Sequence, residues 1–113
     1  MIARIWSARA TREQARRYAD YLRTHVFEEL RTLDGYDRAL LLERPSPAPG
    51  PGTAADVVEL QVITFWRSLD AIRAFSGPDL EAAVVTDAAA GMLLDYDRRV
   101  RHYEIVLRDE GRT

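Results

Sequence analysis

The stretch VVELQVITFWRSLDAIRAF, residues 57–75, decides the fold of this chain. Its first ten residues, Val57 to Trp66, are rich in β-branched and aromatic side chains and predict a strand. Ser68 follows as a candidate N-cap, and Asp70 lies in the first turn of the predicted helix, where the helix dipole favours negative charge. The apolar residues after the cap recur at helical spacing, so one face of this helix needs a sheet beneath it. These residues are Leu69, Ala71, Ile72 and Phe75.

Trp66 lies where the predicted strand meets the predicted helix. A large aromatic side chain at such a junction can line a pocket, or it can be wedged under the helix that follows. The residues around it are compatible with both interpretations.

The composition predicts one small soluble domain. The chain has 113 residues, of which 47% are hydrophobic and 30% charged, so it can bury only a modest core, which dimerisation would enlarge. A net charge of −2 gives no electrostatic reason to expect binding to nucleic acid or to a membrane. No run approaches the length of a transmembrane helix and no apolar signal-peptide core follows Met1, so a cytoplasmic location is the expectation.

The chain contains no cysteine and two histidines. Without cysteine there is no disulfide framework, no thiolate nucleophile and no cysteine-based metal site. His25 and His102 have no carboxylate or histidine at a spacing typical of a metal site. We therefore expect no metal and no cofactor.

A strand and a long helix are predicted before this stretch. Residues 2–8, IARIWSA, have the alternation of a strand, and Thr11 with Gln14 forms a capping-box pattern. Gly35 is placed to end the helix as a left-handed C-cap. The apolar stripe of this helix comprises Ala15, Tyr18, Ala19, Leu22, Val26, Leu30 and Leu33.

Residues 36–44, YDRALLLER, predict the second strand, and a proline-rich segment follows. Four prolines alternate at Pro45, Pro47, Pro49 and Pro51, and such a run should form a loop rather than join a sheet ladder. It could be a ligand for a partner domain, but an ordinary loop insertion is the favoured interpretation. We divide the chain into one domain over residues 1–108, with a proline-rich hairpin loop at 45–55, and a polar tail at 109–113.

Pro78 is suited to the first position of a second short helix that continues through residues 80–85. Residues 98–107, RRVRHYEIVL, predict the fourth strand. The order strand-helix-strand-strand-helix-strand is the split β-α-β arrangement. The predicted fold is therefore α+β and ferredoxin-like, with a four-stranded antiparallel sheet and both helices on one face.

Alternation along the strands predicts which side chains share a face of the sheet. The more apolar faces should meet the helices, and Tyr103 is placed there with Trp66. The opposite face is too apolar to be bare, so we expect two sheets to pack as a homodimer. Its predicted members are Ile2, Arg4, Trp6, Glu59, Gln61, Ile63, Phe65, His102, Glu104 and Val106.

Five of these residues are predicted to lie in the dimer interior. Their charges should be paired, because unpaired buried ions are costly. The group could fix the register of the dimer, or His102 and a carboxylate could form a ligand-binding or catalytic centre. The five are Arg4, Trp6, Glu59, His102 and Glu104.

Three segments, MIARIW at 1–6, FWRSLDAIRAF at 65–75 and VRHYEIV at 100–106, resemble the antibiotic biosynthesis monooxygenase family. The resemblance implies a ferredoxin-like domain that dimerises through its sheets into an α/β barrel. It also implies one of two activities, cofactor-independent oxidation of phenols to quinones or degradation of haem. In both, a cavity between sheet and helices holds the substrate, and the tryptophan that matches Trp66 belongs to it.

The chain departs from the family pattern because it contains no asparagine. Where the quinone-forming enzymes carry an asparagine, the matching position is Val62. The haem degraders carry theirs near Trp6 or Ser7, and their iron-binding histidine falls within residues 75–78, where there is none. Haem degradation is therefore not expected.

Two functions remain as hypotheses. In the first, the protein oxidises a small aromatic molecule, and His25 or Tyr103 handles the proton as the catalytic residue. In the second, it is a dimeric barrel that binds a small hydrophobic ligand without catalysis or carries out a reaction other than oxygenation. The predicted substrate-binding residues are Trp66, Tyr18, Leu22, Val62 and Phe75.

Overall fold

The computed structural model of the protein describes residues 1–47 and 56–112. Of the four alternating prolines, Pro49 and Pro51 lie outside this part of the chain.

The helices and strands follow the predicted order. The first helix is continuous but contains a π-helical turn between its α1 and α2 parts. In chain order the elements are β1 (Ile2–Thr11), α1 (Arg12–Tyr21), the π-helical turn (Leu22–Val26), α2 (Phe27–Leu30), β2 (Tyr36–Pro45), β3 (Val57–Trp66), α3 (Leu69–Ser76), α4 (Asp87–Ala90), β4 (Asp95–Tyr96) and β5 (Arg101–Glu104).

The described strands form one antiparallel sheet in the order β2-β3-β1-β4, and β5 also pairs with β1. The helices pack on one face of this sheet. The α+β, ferredoxin-like fold predicted from the sequence is confirmed. In the described part of the chain, no helix has the length and hydrophobicity needed to cross a membrane.

The stretch at residues 57–75 forms the predicted strand and helix. β3 has the predicted bounds, and Ser68 caps α3 by accepting a hydrogen bond of 3.2 Å from the Ala71 backbone N–H. β3 pairs with β1 on one side and with β2 on the other. It is therefore a central strand, as its apolar composition indicates.

The first helix begins as predicted but ends earlier. Thr11 accepts a hydrogen bond of 3.2 Å from the Gln14 backbone N–H, so the N-cap is confirmed. The Gln14 side-chain oxygen has no hydrogen-bond partner, so the second bond of the predicted capping box is not made. The helix ends at Leu30, and Gly35 follows in a turn with a φ of 90°. Gly35 has the predicted left-handed backbone but is not the C-cap.

β2 extends one residue further than predicted and includes Pro45, which pairs with Val58. The prediction that the proline run stays out of the sheet ladder is wrong at this residue. β2 is an edge strand, and an edge position tolerates proline because one side of the strand has no partner.

Residues 78–85 do not form the predicted helix. Ala82 instead makes an isolated antiparallel bridge with Arg99, and the Val100 N–H donates to the Glu81 carbonyl at 2.8 Å. The carbonyls of Leu80 and Ala82 accept hydrogen bonds from the Arg4 side chain. These long-range bonds replace the local bonds of a helix.

The predicted fourth strand is divided into β4 and β5, which both pair with β1. Between them, the backbone turns to other partners: the Arg98 carbonyl accepts from the Ala83 N–H at 3.0 Å, and the Asp97 carbonyl accepts from the Trp6 side chain. Ile105 continues the pairing by one bond to the Met1 carbonyl at 3.0 Å. The strand is therefore divided because the carbonyls of Asp97 and Arg98 hydrogen-bond to the Trp6 side chain and to Ala83 rather than to the backbone of β1.

Candidate functional site

A cavity of about 120 Å³ lies between the sheet and the first helix. Residues 84–86 and 100 close it on another side. Its volume is below the roughly 300–1,000 Å³ of sites for drug-sized ligands and near the ~150 Å³ at which an apolar cavity takes up benzene. It is lined by Arg4, Trp6, Tyr18, Tyr21, Leu22, His25, Val26, Phe27, Glu29, Leu30, Val62, Thr64, Phe75, Val84, Val85, Thr86, Ala89 and Val100.

The π-helical turn forms part of the wall of this cavity. Leu22, His25 and Val26 all belong to it and all line the cavity. A π-helical turn inserts an extra residue into a helix and is often found at a functional site. Here it changes which side chains of the first helix face the sheet.

Aromatic rings form the inner surface of the cavity. Trp6 contacts Tyr18 with ring centroids 6.2 Å apart, and its indole N–H donates to the Asp97 carbonyl at 2.6 Å. Phe75 lines the cavity from α3. Because the Trp6 ring is held by both packing and a hydrogen bond, this wall is preorganised to receive a flat ring.

His25 lies on the exposed side of the cavity. Its ring stacks on Tyr21 at a centroid distance of 5.0 Å, and its Nδ1 is 2.8 Å from the Thr24 hydroxyl. The Tyr21 hydroxyl is in turn 2.7 Å from the Thr86 hydroxyl. In the described part of the chain, no hydrogen bond involves His25 Nε2.

The pairing of β1 with β3 corrects the predicted faces of the sheet. Trp6 pairs with Val62 and Arg4 with Thr64, so Arg4 and Trp6 point toward the helices. The prediction placed both on the opposite face, in a dimer interior, and it is wrong. On the helix-facing side, the Arg4 guanidinium is buried against backbone carbonyls.

The pairing of β1 with β5 corrects three more positions. Arg4 pairs with His102, so His102 and Glu104 share the helix-facing side of the sheet rather than the opposite one. Tyr103 pairs with Ala3 and lies on the opposite side, away from the cavity. The prediction that Tyr103 shares the face of Trp66 is therefore wrong. The register of β5 differs by one residue from the one assumed, and a shift of one residue moves each side chain to the other face.

Glu59 is the one residue of the predicted dimer interior that lies on the side of the sheet opposite the helices. There it pairs with Arg44 at 2.7 Å. The predicted charge network therefore does not form as a unit, since Arg4 and His102 are on the other side.

Arg4 is a buried cation at the cavity. Its side chain is 4% exposed and donates from Nη1 to the Leu80 carbonyl at 2.6 Å and from Nη2 to the Ala82 carbonyl at 2.8 Å. Burial lowers the pKa of Arg4 to about 10, which still leaves it protonated at neutral pH. Arg4 therefore both anchors residues 80–82 and places a positive charge at the cavity wall.

His102 accepts a hydrogen bond from Arg4. Its Nε2 is 2.9 Å from Arg4 Nη1, and because arginine can only donate, Nε2 must be the unprotonated nitrogen. Burial, followed by the nearby charge of Arg4, lowers the pKa of His102. His102 is therefore neutral in this arrangement and adds no negative charge to balance Arg4.

Trp66 does not reach the cavity. It is 0% exposed and packs with Ile2, Leu30 and Ile72 in a separate part of the core. Its indole N–H donates to the Thr64 hydroxyl at 2.8 Å. Of the two interpretations of Trp66, the structure favours the one in which it is wedged beneath the following helix, and its role in substrate binding stays a prediction.

The other predicted substrate-binding residues, Tyr18, Leu22, Val62 and Phe75, do line one cavity, and so does His25. Tyr21 also lines the cavity and lies one helical turn before His25, a spacing that brings two side chains of a helix together. Thr64 and residues 84–86 were not predicted to line it, because their positions depend on the sheet register and on the hydrogen bonds of Arg4.

Within residues 1–47 and 56–112, no group of three or more histidine, aspartate and glutamate side chains is placed to hold a metal ion.

Comparison with known proteins gives structural neighbours only. No family model and no curated protein matches the chain. A Deinococcus radiodurans structure provisionally named as an antibiotic biosynthesis monooxygenase matches all of both chains with a TM-score of 0.59 and 16% identity. A Bacillus cereus structure with the same provisional name matches all of this chain and 98% of its own, with a TM-score of 0.62 and 9% identity.

This chain has the antibiotic biosynthesis monooxygenase-like fold. The full coverage of both neighbours supports that conclusion, and the low identities limit it to the fold.

Proposed function

We propose that the protein binds a small aromatic molecule in the cavity and oxidises it with dioxygen as a cofactor-independent monooxygenase. The observation that carries the proposal is the cavity itself, which is lined by the rings of Trp6, Tyr18 and Phe75 and by the His25 imidazole. The volume of about 120 Å³ suits one ring better than a polycyclic substrate. The provisional names of the two structural neighbours agree with this class of reaction.

The chemistry requires a substrate whose anion reacts directly with dioxygen. His25 takes a proton from a phenol or an activated carbon, and the apolar rings orient the anion and exclude water. One oxygen atom becomes a carbonyl on the substrate. The other leaves as water with the two hydrogens that the substrate loses, so the reaction needs no further reductant.

Oxygen uptake tests this proposal. We expect the protein to consume dioxygen with single-ring dihydroxy phenols, and less readily with dihydroxynaphthalenes and anthrones, because of the cavity volume. His25→Gln should lower the rate at least about tenfold, since a positioned general base contributes roughly 10²–10⁴-fold. Arg23→Gln is the matched control, because Arg23 lies on the same π-helical turn but is exposed and pairs with Asp20.

No uptake with any of these substrates, or equal rates for His25→Gln and the control, would contradict the proposed reaction.

A binding protein without oxygenase activity is the second candidate. It is favoured by Val62, which lines the cavity at the position where the family resemblance implies an asparagine. A valine side chain cannot hydrogen-bond to a substrate oxygen. Saturable binding of a small phenol without oxygen uptake would support this candidate over the first.

We also propose that the protein dimerises through its open face, the side of the sheet opposite the helices. Leu40, Leu42 and Tyr103 are 42%, 44% and 53% exposed there, next to half-buried Ile63 and Phe65. Exposed apolar side chains gathered on one face of a sheet are typical of an interface. The resemblance that implies an α/β barrel agrees with it.

The double substitution Leu40→Glu with Leu42→Glu tests the dimer by sedimentation equilibrium. We expect a dimer for the unmodified chain and a dimer at least about a hundredfold weaker for the variant, because like charges would face each other across the interface. Leu69→Glu is the control, since Leu69 is 43% exposed but lies on α3. A monomeric unmodified chain would contradict the proposal.

A further inference from the structure

Arg4 has no carboxylate partner in the described part of the chain. None of the ion pairs there includes it, although its side chain is 4% exposed. Buried charges in proteins are normally paired, because an isolated one is costly. The two carbonyls that accept from Arg4 carry only partial charges, and His102 is neutral. Within residues 1–47 and 56–112, Arg4 therefore has these partial charges and the Phe75 ring, 5.7 Å from its Cζ, beside it, but it makes no ion pair.

The guanidinium of Arg4 retains two free donors. A guanidinium has five N–H groups, of which Nη1 uses two and Nη2 uses one. The N–H of Nε and the second N–H of Nη2 make no hydrogen bond within residues 1–47 and 56–112. Donors on two neighbouring nitrogens of arginine match the two oxygens of a carboxylate.

Tyr18 is a second unpartnered donor in the same cavity. The residue is 4% exposed, and its hydroxyl makes no hydrogen bond with any described residue. Burial raises the pKa of Tyr18, so the hydroxyl stays protonated. Tyr18 lines the cavity from α1, and Arg4 lines it from β1.

Both donors keep some contact with solvent. Among the described residues, Gln14 Oε1 is the only side-chain nitrogen or oxygen that is sealed from solvent without a partner. The Tyr18 hydroxyl and Arg4 Nε have no partner and are not sealed, and both residues line the cavity.

We propose that the ligand of this cavity is a small aromatic carboxylate whose anionic group binds Arg4 and the Tyr18 hydroxyl. The inference rests on the proposed use of this cavity as the binding site and names the class of molecule that enters it. The aromatic ring lies against Trp6, because the Phe75 ring already packs with Arg4 and Trp66, and the carboxylate supplies the negative charge that Arg4 lacks. A carboxylate with a ring also fits the volume of about 120 Å³.

Titration of the full chain with benzoate and with benzamide tests this proposal at constant ionic strength. The two probes have nearly the same shape but differ in charge. We expect benzoate to bind at least about tenfold more tightly, because a hydrogen bond to a charged group is stronger than one between neutral groups. Quenching of Trp6 fluorescence reports binding, and a Trp6→Phe variant, in which only sealed Trp66 emits, should lose that signal.

Three variants separate recognition from a structural role. Tyr18→Phe should reduce the preference for benzoate several-fold without lowering Tm, because the hydroxyl has no partner to lose. Arg4→Lys keeps the charge and should retain part of the preference, whereas Arg4→Met should abolish it. Tyr36→Phe is the control for Tyr18→Phe, since Tyr36 packs on Trp66 away from the cavity.

Three results would overturn the inference: no binding of benzoate, equal affinity for the two probes, or a Tyr18→Phe variant with lower Tm and an unchanged preference. If Arg4→Met does not fold, Arg4→Lys and Tyr18→Phe still decide the question. Binding measured without oxygen is independent of turnover. Oxygen uptake with neutral phenols but no preference for benzoate would reject this inference and leave the proposed reaction standing.

Discussion

Replacing Trp66 with alanine should lower the free energy of unfolding by about 3–5 kcal/mol, the usual loss when a large buried aromatic side chain is removed. Trp66 is 0% exposed, and its ring contacts Tyr36 at a centroid distance of 5.4 Å and Phe75 at 6.1 Å. The variant would leave a cavity and an unpaired Thr64 hydroxyl. Denaturant unfolding followed by circular dichroism measures the loss.

Leu69→Ala is the control, because Leu69 lies on α3 but is 43% exposed and should change stability by less than about 1 kcal/mol. Trp66→Phe distinguishes the two interpretations of the tryptophan. A wedge beneath the helix predicts an intermediate loss of stability with unchanged affinity for a cavity ligand. A variant that folds with normal stability but binds the ligand poorly would instead place Trp66 in the binding site.

Local features of the sequence were predicted well. The bounds of β3 and the caps at Thr11 and Ser68 depend on side chains within a few residues of each other, so a short stretch contains the information. The four cavity-lining residues Tyr18, Leu22, Val62 and Phe75 were also found, because each lies on the apolar face of its own element.

The face of the sheet on which a side chain lies could not be predicted from alternation alone. Alternation groups Arg4 with Trp6 correctly, but it does not say which group meets the helices. That choice depends on pairing between strands, which matches Ile2 with Trp66 and also with Glu104. A shift of one residue moves every side chain to the other face, and the errors at Arg4 and His102 have this single origin.

The segment at residues 78–85 shows a second limit. Pro78 is a good first residue for a helix, but the carbonyls of Leu80 and Ala82 are held by Arg4, which is 76 and 78 positions away. No local pattern contains that information. Arg4 therefore has two effects. It holds the segment that closes the cavity, and it places a positive charge at the cavity wall.

A substitution in the turn after the first helix is expected to lower the free energy of unfolding as much as a substitution in the core. Gly35 has a φ of 90°, and a Cβ added to it would lie 2.5 Å from the Cβ of Ala71 on α3. Gly35→Ala should therefore lower the free energy of unfolding by about 2–6 kcal/mol, from backbone strain of about 1–3 kcal/mol and overpacking of about 1–3 kcal/mol. Denaturant unfolding again provides the measurement.

Two comparisons separate strain from overpacking. Gly77 has a φ of 80° but no atom within 4 Å of an added Cβ, so Gly77→Ala should show the strain alone. The double variant Gly35→Ala with Ala71→Gly removes the clash and should recover part of the loss, although glycine within α3 costs about 1 kcal/mol. If Gly35→Ala is no more damaging than Gly77→Ala, the close contact with Ala71 does not limit this turn. If it is more damaging, Gly35 and the small Ala71 of the helix are matched to each other, and their contact fixes how α3 packs beside the first helix.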